Sequence, residues 1–402
     1  MKVLVFTTVF PNSAQPTQGS FVFERIRHLA ELAELRVVAP VGWRVRLRAH
    51  VPRRHSTDGL DVSHPTFWYI PGVLKVLDGV LLFCSALPTL RRIRREFPFE
   101  LIDAHFVFPD GFAAVLLARW FDCPVVITER GTATPLSKYR LRRMAMGWAF
   151  RNATRVVAVA RHLAELAIAL GARRDRVAVI PNGVNSKSFA PVNRHEARRQ
   201  LQLPDDLRVI VSVGRLIRTK GFGRVIGVLP ELRQEIPNLL FGVVGGDPAG
   251  EKGNAAELQR QVRQLGLGEH VIFAGEQPRE SVMLWLSAAD VFVLASDMEG
   301  CPNVVWEALA CGRPVVAAKV GEVERMVPDF GGVLIDNPDD ATALRLALRE
   351  ALEKTWDEGA IRTYAAAHTW SDVAVRVLEQ WVAARDESMF VAADDASTQA
   401  GR

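Results

Sequence analysis

The chain has 402 residues, 49% hydrophobic and 24% charged, which exceeds the usual size of one domain and supplies apolar residues enough for two cores. Its formal charge of +5 suits small anionic ligands or an anionic membrane surface and is too slight to argue for nucleic acid. Cys84, Cys123, Cys301 and Cys311 are too scattered for a zinc site and read as free thiols of a reducing compartment.

Residues 2–8 read as a buried strand with no signal-peptide pattern before it. A polar loop carrying Gly19 follows, and then an amphipathic helix over 21–32. This is a βα unit whose loop opens at the carboxyl edge of a sheet, where doubly wound folds bind ligands. Further strands are expected at 35–39 and 60–67. Three basic segments lie at 44–54, 91–95 and 139–148, each beside apolar residues. Together they could seat the first half on an anionic leaflet; solvated helix faces are the plainer reading. The longest apolar stretch, 73–90, is broken by Lys75, Asp78 and Pro88, so no membrane span is expected. The expected location is cytoplasmic, with peripheral attachment to the inner face of the membrane as its extension.

A strand over 101–106 brings His105 to its carboxyl end, where an imidazole can meet a sugar hydroxyl. Asp110-Gly111 and a helix from Phe112 follow. The next strand, 125–128, leads into Glu129-Arg130-Gly131-Thr132-Ala133, and strands at 155–160 and 177–182 complete the half. A Pro- and Arg-containing linker spans 191–204.

The second half opens with a strand ending at Gly214-Arg215, after which Thr219-Lys220-Gly221 starts a helix. Arg215 and Lys220 put two cations at one strand end, as a diphosphate would require. A strand over 239–244 reaches the glycine turn Gly245-Gly246, and one over 271–275 runs into Glu276. Between strands at 291–294 and 314–318 lies Glu299-Gly300-Cys301-Pro302-Asn303-Val304, continuing through Glu307 to Gly312. Pro302 suits a helix start and Gly312 its end. The first-turn amides make an anion site, and Glu299 and Glu307, which bracket it, suit sugar and ribose hydroxyls. A last strand at 331–335 and helices at 341–354 and 373–384 finish the fold, leaving a small polar tail.

The segment from Glu299 to Glu307 resembles the donor signature of the retaining nucleotide-sugar glycosyltransferase family four. The Gly214-Arg215 and Lys220-Gly221 pairs resemble its phosphate site, and His105 with Asp110-Gly111 its acceptor-domain motif. The resemblance implies an α/β GT-B fold, two Rossmann-like doubly wound domains facing a central cleft. The acceptor domain would span 1–183 and the donor domain 184–371. A helix over about 372–387 would pack back on the first, and 388–402 would be disordered. Arg215, Lys220, Glu299 and His105 would be the catalytic set, His105 through binding and positioning. Gly19, Gly214, Gly246, Glu276, Gly300, Cys301, Pro302, Asn303, Val304 and Glu307 would hold the donor, Glu276 beside the nucleobase. Asp110, Arg130 and Gly131 would lie on the acceptor side, with Ala133 standing where members often carry aspartate.

The implied reaction moves a hexose from a nucleoside-diphosphate sugar to a hydroxyl of a glycan or lipid-linked acceptor, in polysaccharide or glycolipid synthesis. The sugar nucleotide is a co-substrate, and no cofactor or metal is expected: there is no Asp-x-Asp pair, and Arg215 and Lys220 would do a metal's work. A hydrolase or epimerase on the same fold would turn over donor alone, and a membrane-seated sensor would bind without consuming it. An oxidoreductase finds weak support in Gly221-x-Gly223, because those glycines lie too far from the strand end.

Overall fold

The structure, a computed structural model, describes residues 1–185, 189, 191–247 and 253–400, with side chains placed through residue 389. The chain divides into two compact units, Met1–Asn182 with Trp370–Arg402, and Gly183–Thr369. In sequence the first boundary lies one residue before the expected 183/184 and the second two residues before the expected 371/372.

In the first unit, apolar runs buried on both faces form an eight-stranded sheet. Its spatial order is Val177–Val179, Arg155–Ala158, Val125–Glu129, Leu101–His105, Lys2–Phe6, Glu34–Val38, Leu60–Ser63 and Arg54–Thr57. All neighbours pair parallel except the last two, which form an antiparallel edge. That edge strand was not expected, because Arg54-His55-Ser56-Thr57 has no apolar alternation and is held by its partner strand. Helix Trp43–Arg48 likewise stands where only a basic segment was foreseen.

The chain reverses its direction of sheet growth between Lys2–Phe6 and Leu101–His105. Loops from adjacent strands part at such a point and leave room for a ligand.

The last helix, Trp370–Ala400, belongs to this unit. It packs on helix Ser20–Leu29 and on strands Val125–Glu129 and Arg155–Ala158. Trp370, Val377 and Trp381 are buried there with Val22, Ile26 and Leu29. Its backbone is helical through Ala400, where the sequence reading expected the ordered chain to end near residue 387. Residues 401–402 lie outside the described residues.

The second unit is a wholly parallel six-stranded sheet ordered Val271–Gly275, Leu239–Val244, Arg208–Val213, Val291–Leu294, Val315–Ala318 and Gly332–Ile335. Growth reverses between Arg208–Val213 and Val291–Leu294. Val213 pairs with Val244, and Val244 with Gly275, so Gly214, Gly245 and Glu276 emerge side by side at the carboxyl edge.

Trp381 is fully buried. Trp381→Ala should destabilise the first unit by about 3–5 kcal/mol, read as a lowered midpoint in denaturant titration. An unchanged midpoint would mean that this helix is not part of the unit's core.

Candidate active site

In the second unit the switch point gathers four segments. Helix Asn303–Ala310 starts from Pro302 and buries Val305, Ala308 and Leu309. Gly312, in the left-handed region at φ 74°, follows its C-cap, and its N–H donates to the Leu309 carbonyl at 2.9 Å. The first turn lies after strand Val291–Leu294, at its carboxyl end, with the Val305 N–H donating to the Pro302 carbonyl at 3.1 Å. Cys301 contributes only backbone there, since its Sγ is buried 3.8 Å from Met326 Sδ.

Lys220 Nζ donates to Glu299 Oε1 at 2.6 Å. Glu299 keeps 9% of its side chain exposed and Lys220 22%, so the pair is sheltered but reachable. Their loops meet because Gly221, at φ 74°, lets the Ala295 carbonyl approach to 1.8 Å from where a Cβ would stand. The Asp297 N–H donates to the Thr219 carbonyl at 2.9 Å. Arg224 was not singled out from the sequence. Its NH1 donates to the Ala295 carbonyl at 3.0 Å, its Nε to Asp339 at 2.8 Å and its NH2 to Asp297. It clamps the loop that carries Glu299.

Arg215 is exposed at the end of strand Arg208–Val213. The Leu216 N–H donates to the Gly246 carbonyl at 2.9 Å, and the Gly245 N–H to Gly275 at 2.8 Å, tying the glycine turns together. Glu276 is exposed beside Gly246, and Glu307 is half-buried one turn into its helix. Gly214, Arg215, Lys220, Gly246, Glu276 and the run from Glu299 to Glu307 thus share one sheet edge.

In the first unit His105 and Arg130 come together and Asp110 is held on Thr8, so the protein itself engages polar atoms of all three. His105 is fully buried. Arg130 Nε–H donates to its Nδ1 at 3.1 Å, and its Nε2 lies 3.3 Å from Asp103 Oδ2. Burial pushes the His105 imidazole down to about 4, with Asp103 opposing, so the ring is neutral. With Nδ1 accepting, the ring proton sits on Nε2, facing Asp103. Burial alone would raise the Asp103 carboxyl; His105 and the guanidiniums of Arg25 and Arg130 outweigh it and hold the group low. Arg130 NH1 also donates to Asn182 Oδ1 at 3.0 Å. His105 therefore stands behind Arg130, with neither ring nitrogen turned to solvent.

Glu129, which the sequence reading passed over, is fully buried and shapes the next loop. It accepts from the Gly131 and Ala133 amides at 2.7 and 3.0 Å and from the Val107 amide at 3.3 Å. Burial raises its carboxyl, and these N–H donors oppose the shift. Gly131, at φ 119°, takes a conformation that suits glycine. Gly19 is buried at φ 70°, and a Cβ there would lie 2.4 Å from the Val9 carbonyl, so it folds the loop after the first strand.

Beside that loop a cavity of about 260 Å³ is lined by Asn12, Gln15, Gln18, Val45, Phe67 and Tyr69, among others. Amides around aromatic walls suit a sugar ring.

Asp110 is buried with both oxygens on Thr8, one taking the Thr8 N–H and the other 3.0 Å from its hydroxyl. It latches the first strand's loop from within. Burial pushes its carboxyl up to about 7, against the hydrogen bonds from Thr8. A raised carboxyl gives stability that is complete below the unfolded value near 4 and is lost as pH rises through about 7. Asp110→Asn keeps the shape and the donor of the neutral acid. The stability difference, variant minus wild type, should grow between about pH 4 and 7 by up to roughly 4 kcal/mol. Denaturant titrations across that range check it; a flat difference would mean that Asp110 is ionised in the fold.

A family model described as glycosyl transferases group 1 matches residues 193–368, and a glycosyl transferase 4-like domain matches residues 18–183. The chain is 31% identical over 376 residues to a Bacillus subtilis protein named for teichuronic acid biosynthesis, glycosyltransferase TuaC, covering 89% of this chain and 90% of that protein. It is 32% identical over 392 residues to the D-inositol 3-phosphate glycosyltransferase of Thermomonospora curvata, covering 88% of each. Among solved structures it matches sucrose-phosphate synthase of Thermosynechococcus elongatus with TM-score 0.78 and 22% identity, over 98% of this chain and 100% of that one. It matches Anabaena Alr3699/HepE in complex with UDP-glucose with TM-score 0.74 and 19% identity, over 95% and 100%. At such identities the solved structures speak for the fold alone. By its family matches and its curated relatives the chain is a glycosyltransferase, of group 1 with a 4-like first domain, and its two parallel-sheet α/β units are those of the GT-B fold.

Proposed function

We propose that the chain transfers a hexose from a nucleoside-diphosphate sugar to a hydroxyl of a glycan or lipid-linked acceptor, retaining the anomeric configuration, in polysaccharide or glycolipid synthesis. The observation that carries this reading is the Lys220–Glu299 contact at the switch point of the second unit, beside Arg215 and a helix N-terminus. A cation and a hydroxyl-binding carboxylate 2.6 Å apart suit a ligand whose phosphate adjoins its sugar. The relatives named as glycosyltransferases, of teichuronic acid biosynthesis and of D-inositol 3-phosphate, support the transfer of a sugar.

On this reading the diphosphate lies against the Asn303 and Val304 amides, with Arg215 and Lys220 on its oxygens. Glu299 accepts from the sugar hydroxyls and Glu307 from the ribose, while Glu276 and Gly246 flank the base. The bond from the anomeric carbon to the diphosphate breaks as the acceptor oxygen bonds to that carbon on the same face. The acceptor proton passes to the leaving diphosphate oxygen. Arg215 and Lys220 stabilise the charge that develops there, which is the work a metal would otherwise do. Arg130, held by His105 and Asn182, faces the acceptor, whose sugar fits the cavity between Gln18 and Tyr69. The cytoplasmic side, where free thiols persist, is the location that suits the four free cysteines.

A thermal-shift panel of nucleoside diphosphates, their sugars and nicotinamide dinucleotides tests the donor. One nucleoside diphosphate and its sugar should stabilise the chain, and dinucleotides should not. With that donor, Lys220→Ala and Glu299→Ala should each lose about a hundredfold in turnover or more. Turnover at wild-type level in both would remove these residues from the site.

A further inference from the structure

The first unit carries an apolar surface built from three segments far apart in sequence. Leu47 on helix Trp43–Arg48 is 76% exposed, Trp68 62%, Val73 61%, and Leu141 and Met144 at the start of helix Arg140–Asn152 60% each. Isolated exposed apolar residues are ordinary, whereas contiguous ones mark a contact surface. The contacts make these contiguous. Trp43 stacks on Trp68 with ring centroids 6.4 Å apart, and Trp43 Nε1–H donates to the Tyr69 carbonyl at 2.9 Å. Lys75 lies over the Tyr69 ring at 4.5 Å. The short turn Lys75–Leu77 packs on helix Arg140–Asn152, whose Arg142 lies over Tyr139 at 4.9 Å and reaches Asp78 electrostatically.

Charge says what covers this face. Segments 43–48, 68–80 and 138–144 hold eight lysines and arginines against the single carboxylate Asp78, a net of +7. The whole chain carries +5, so the rest of it is at −2. Asp78 is already paired with Lys75 at 3.1 Å. A second copy would bring the same cations against these and repel. Exposed Trp and Tyr mixed with arginines around aliphatic tips match the interface of a bilayer whose headgroups are anionic. Among the described residues no helix is long and apolar enough to cross a membrane, so contact of this kind is peripheral.

The basic run at 91–95 does not share the face. It lies thirteen residues along helix Asp78–Glu96 from Asp78, about 20 Å away. There Arg91 covers Trp120 at 4.6 Å and Arg94 covers Phe99 at 4.6 Å. Two of the three basic segments, joined by the loop 68–80, make the surface.

We infer that the first unit docks on an anionic lipid bilayer through Leu47, Trp68, Val73, Leu74, Leu141 and Met144, with Arg44, Arg48, Arg140 and Arg143 on the headgroups. Val45 and Tyr69 wall the cavity as well as belonging to these segments, so a docked chain opens that cavity close to the lipid surface. The docking is independent of any bound donor.

The test is flotation of the full chain with phosphatidylcholine vesicles, with and without phosphatidylglycerol. The wild type should float with the anionic vesicles, less so as salt rises, and its tryptophan emission should shift to the blue. Val73→Asp with Leu74→Asp should lower binding at least about tenfold, as should Arg140→Glu with Arg143→Glu. Melting temperature should be unchanged in both pairs, which separates lost docking from lost folding. A wild type that stays down with anionic vesicles overturns the inference, and so do variants that float like it. A concentration-dependent dimer abolished by Val73→Asp with Leu74→Asp overturns it too, since the face would then be a self-interface.

Discussion

The contact between Lys220 and Glu299 depends on one backbone approach. The two residues are 79 positions apart and lie on loops that leave neighbouring strands, where parallel sheets normally let loops part. They meet because Gly221 lets the Ala295 carbonyl come where a side chain would otherwise be. Arg224 and the Asp297 amide then hold the loops together at both ends. Once that approach is made, the helix from Asn303 has its amides, both carboxylates and the Lys220 cation disposed around one edge. Remove it and the same residues would belong to separate loops.

The first unit solves a different problem, that of keeping charge inside. Asp103 and Arg25 are both buried and feel each other's charge, and burying charge costs much of what such attraction returns. Burial lowers Arg25, and Asp103 opposes that shift. The same carboxylate faces the Nε2 of His105 and so fixes which nitrogen is free to accept from Arg130. An unfavourable burial is thereby spent on orienting a single guanidinium. Asp110 and Glu129 act in the same spirit, giving their oxygens to backbone amides of loops at the carboxyl edge.

How much of this was legible followed from where the information lies. Both sheets could be read because parallel strands buried on two faces are continuous apolar runs, and Pro302 and Gly312 mark the helix between them by local backbone rules. Glu299, Lys220 and Arg215 could be read because each sits next to a strand end in its own segment. Arg224 could not, since a helical arginine is ordinary until its partner Asp297, 73 residues away, is placed against it. Nor could the burial of His105, which depends on Asp103 at the alternate position of the same strand and on Arg130 from the next. The antiparallel edge at Arg54–Thr57 has no apolar pattern of its own and takes its conformation from the strand it pairs with.

The proposed chemistry also explains why a site for an anion should hold an ion pair before the anion arrives. An uncompensated lysine and carboxylate at this depth would each seek water or reorganise. Paired, they stay oriented and sheltered, with 22% and 9% of their side chains exposed. On the proposed reading a diphosphate would replace Glu299 as the partner of Lys220, and sugar hydroxyls would replace Lys220 as donors to Glu299. Each group exchanges one charge-assisted hydrogen bond for another, so neither is left unsatisfied when the substrate enters. A ligand with the phosphate but no adjoining hydroxyl donor would take Lys220 and leave Glu299 without its partner. On that reading the pair would select for the combination of the two, which is what distinguishes a sugar nucleotide from a bare anion.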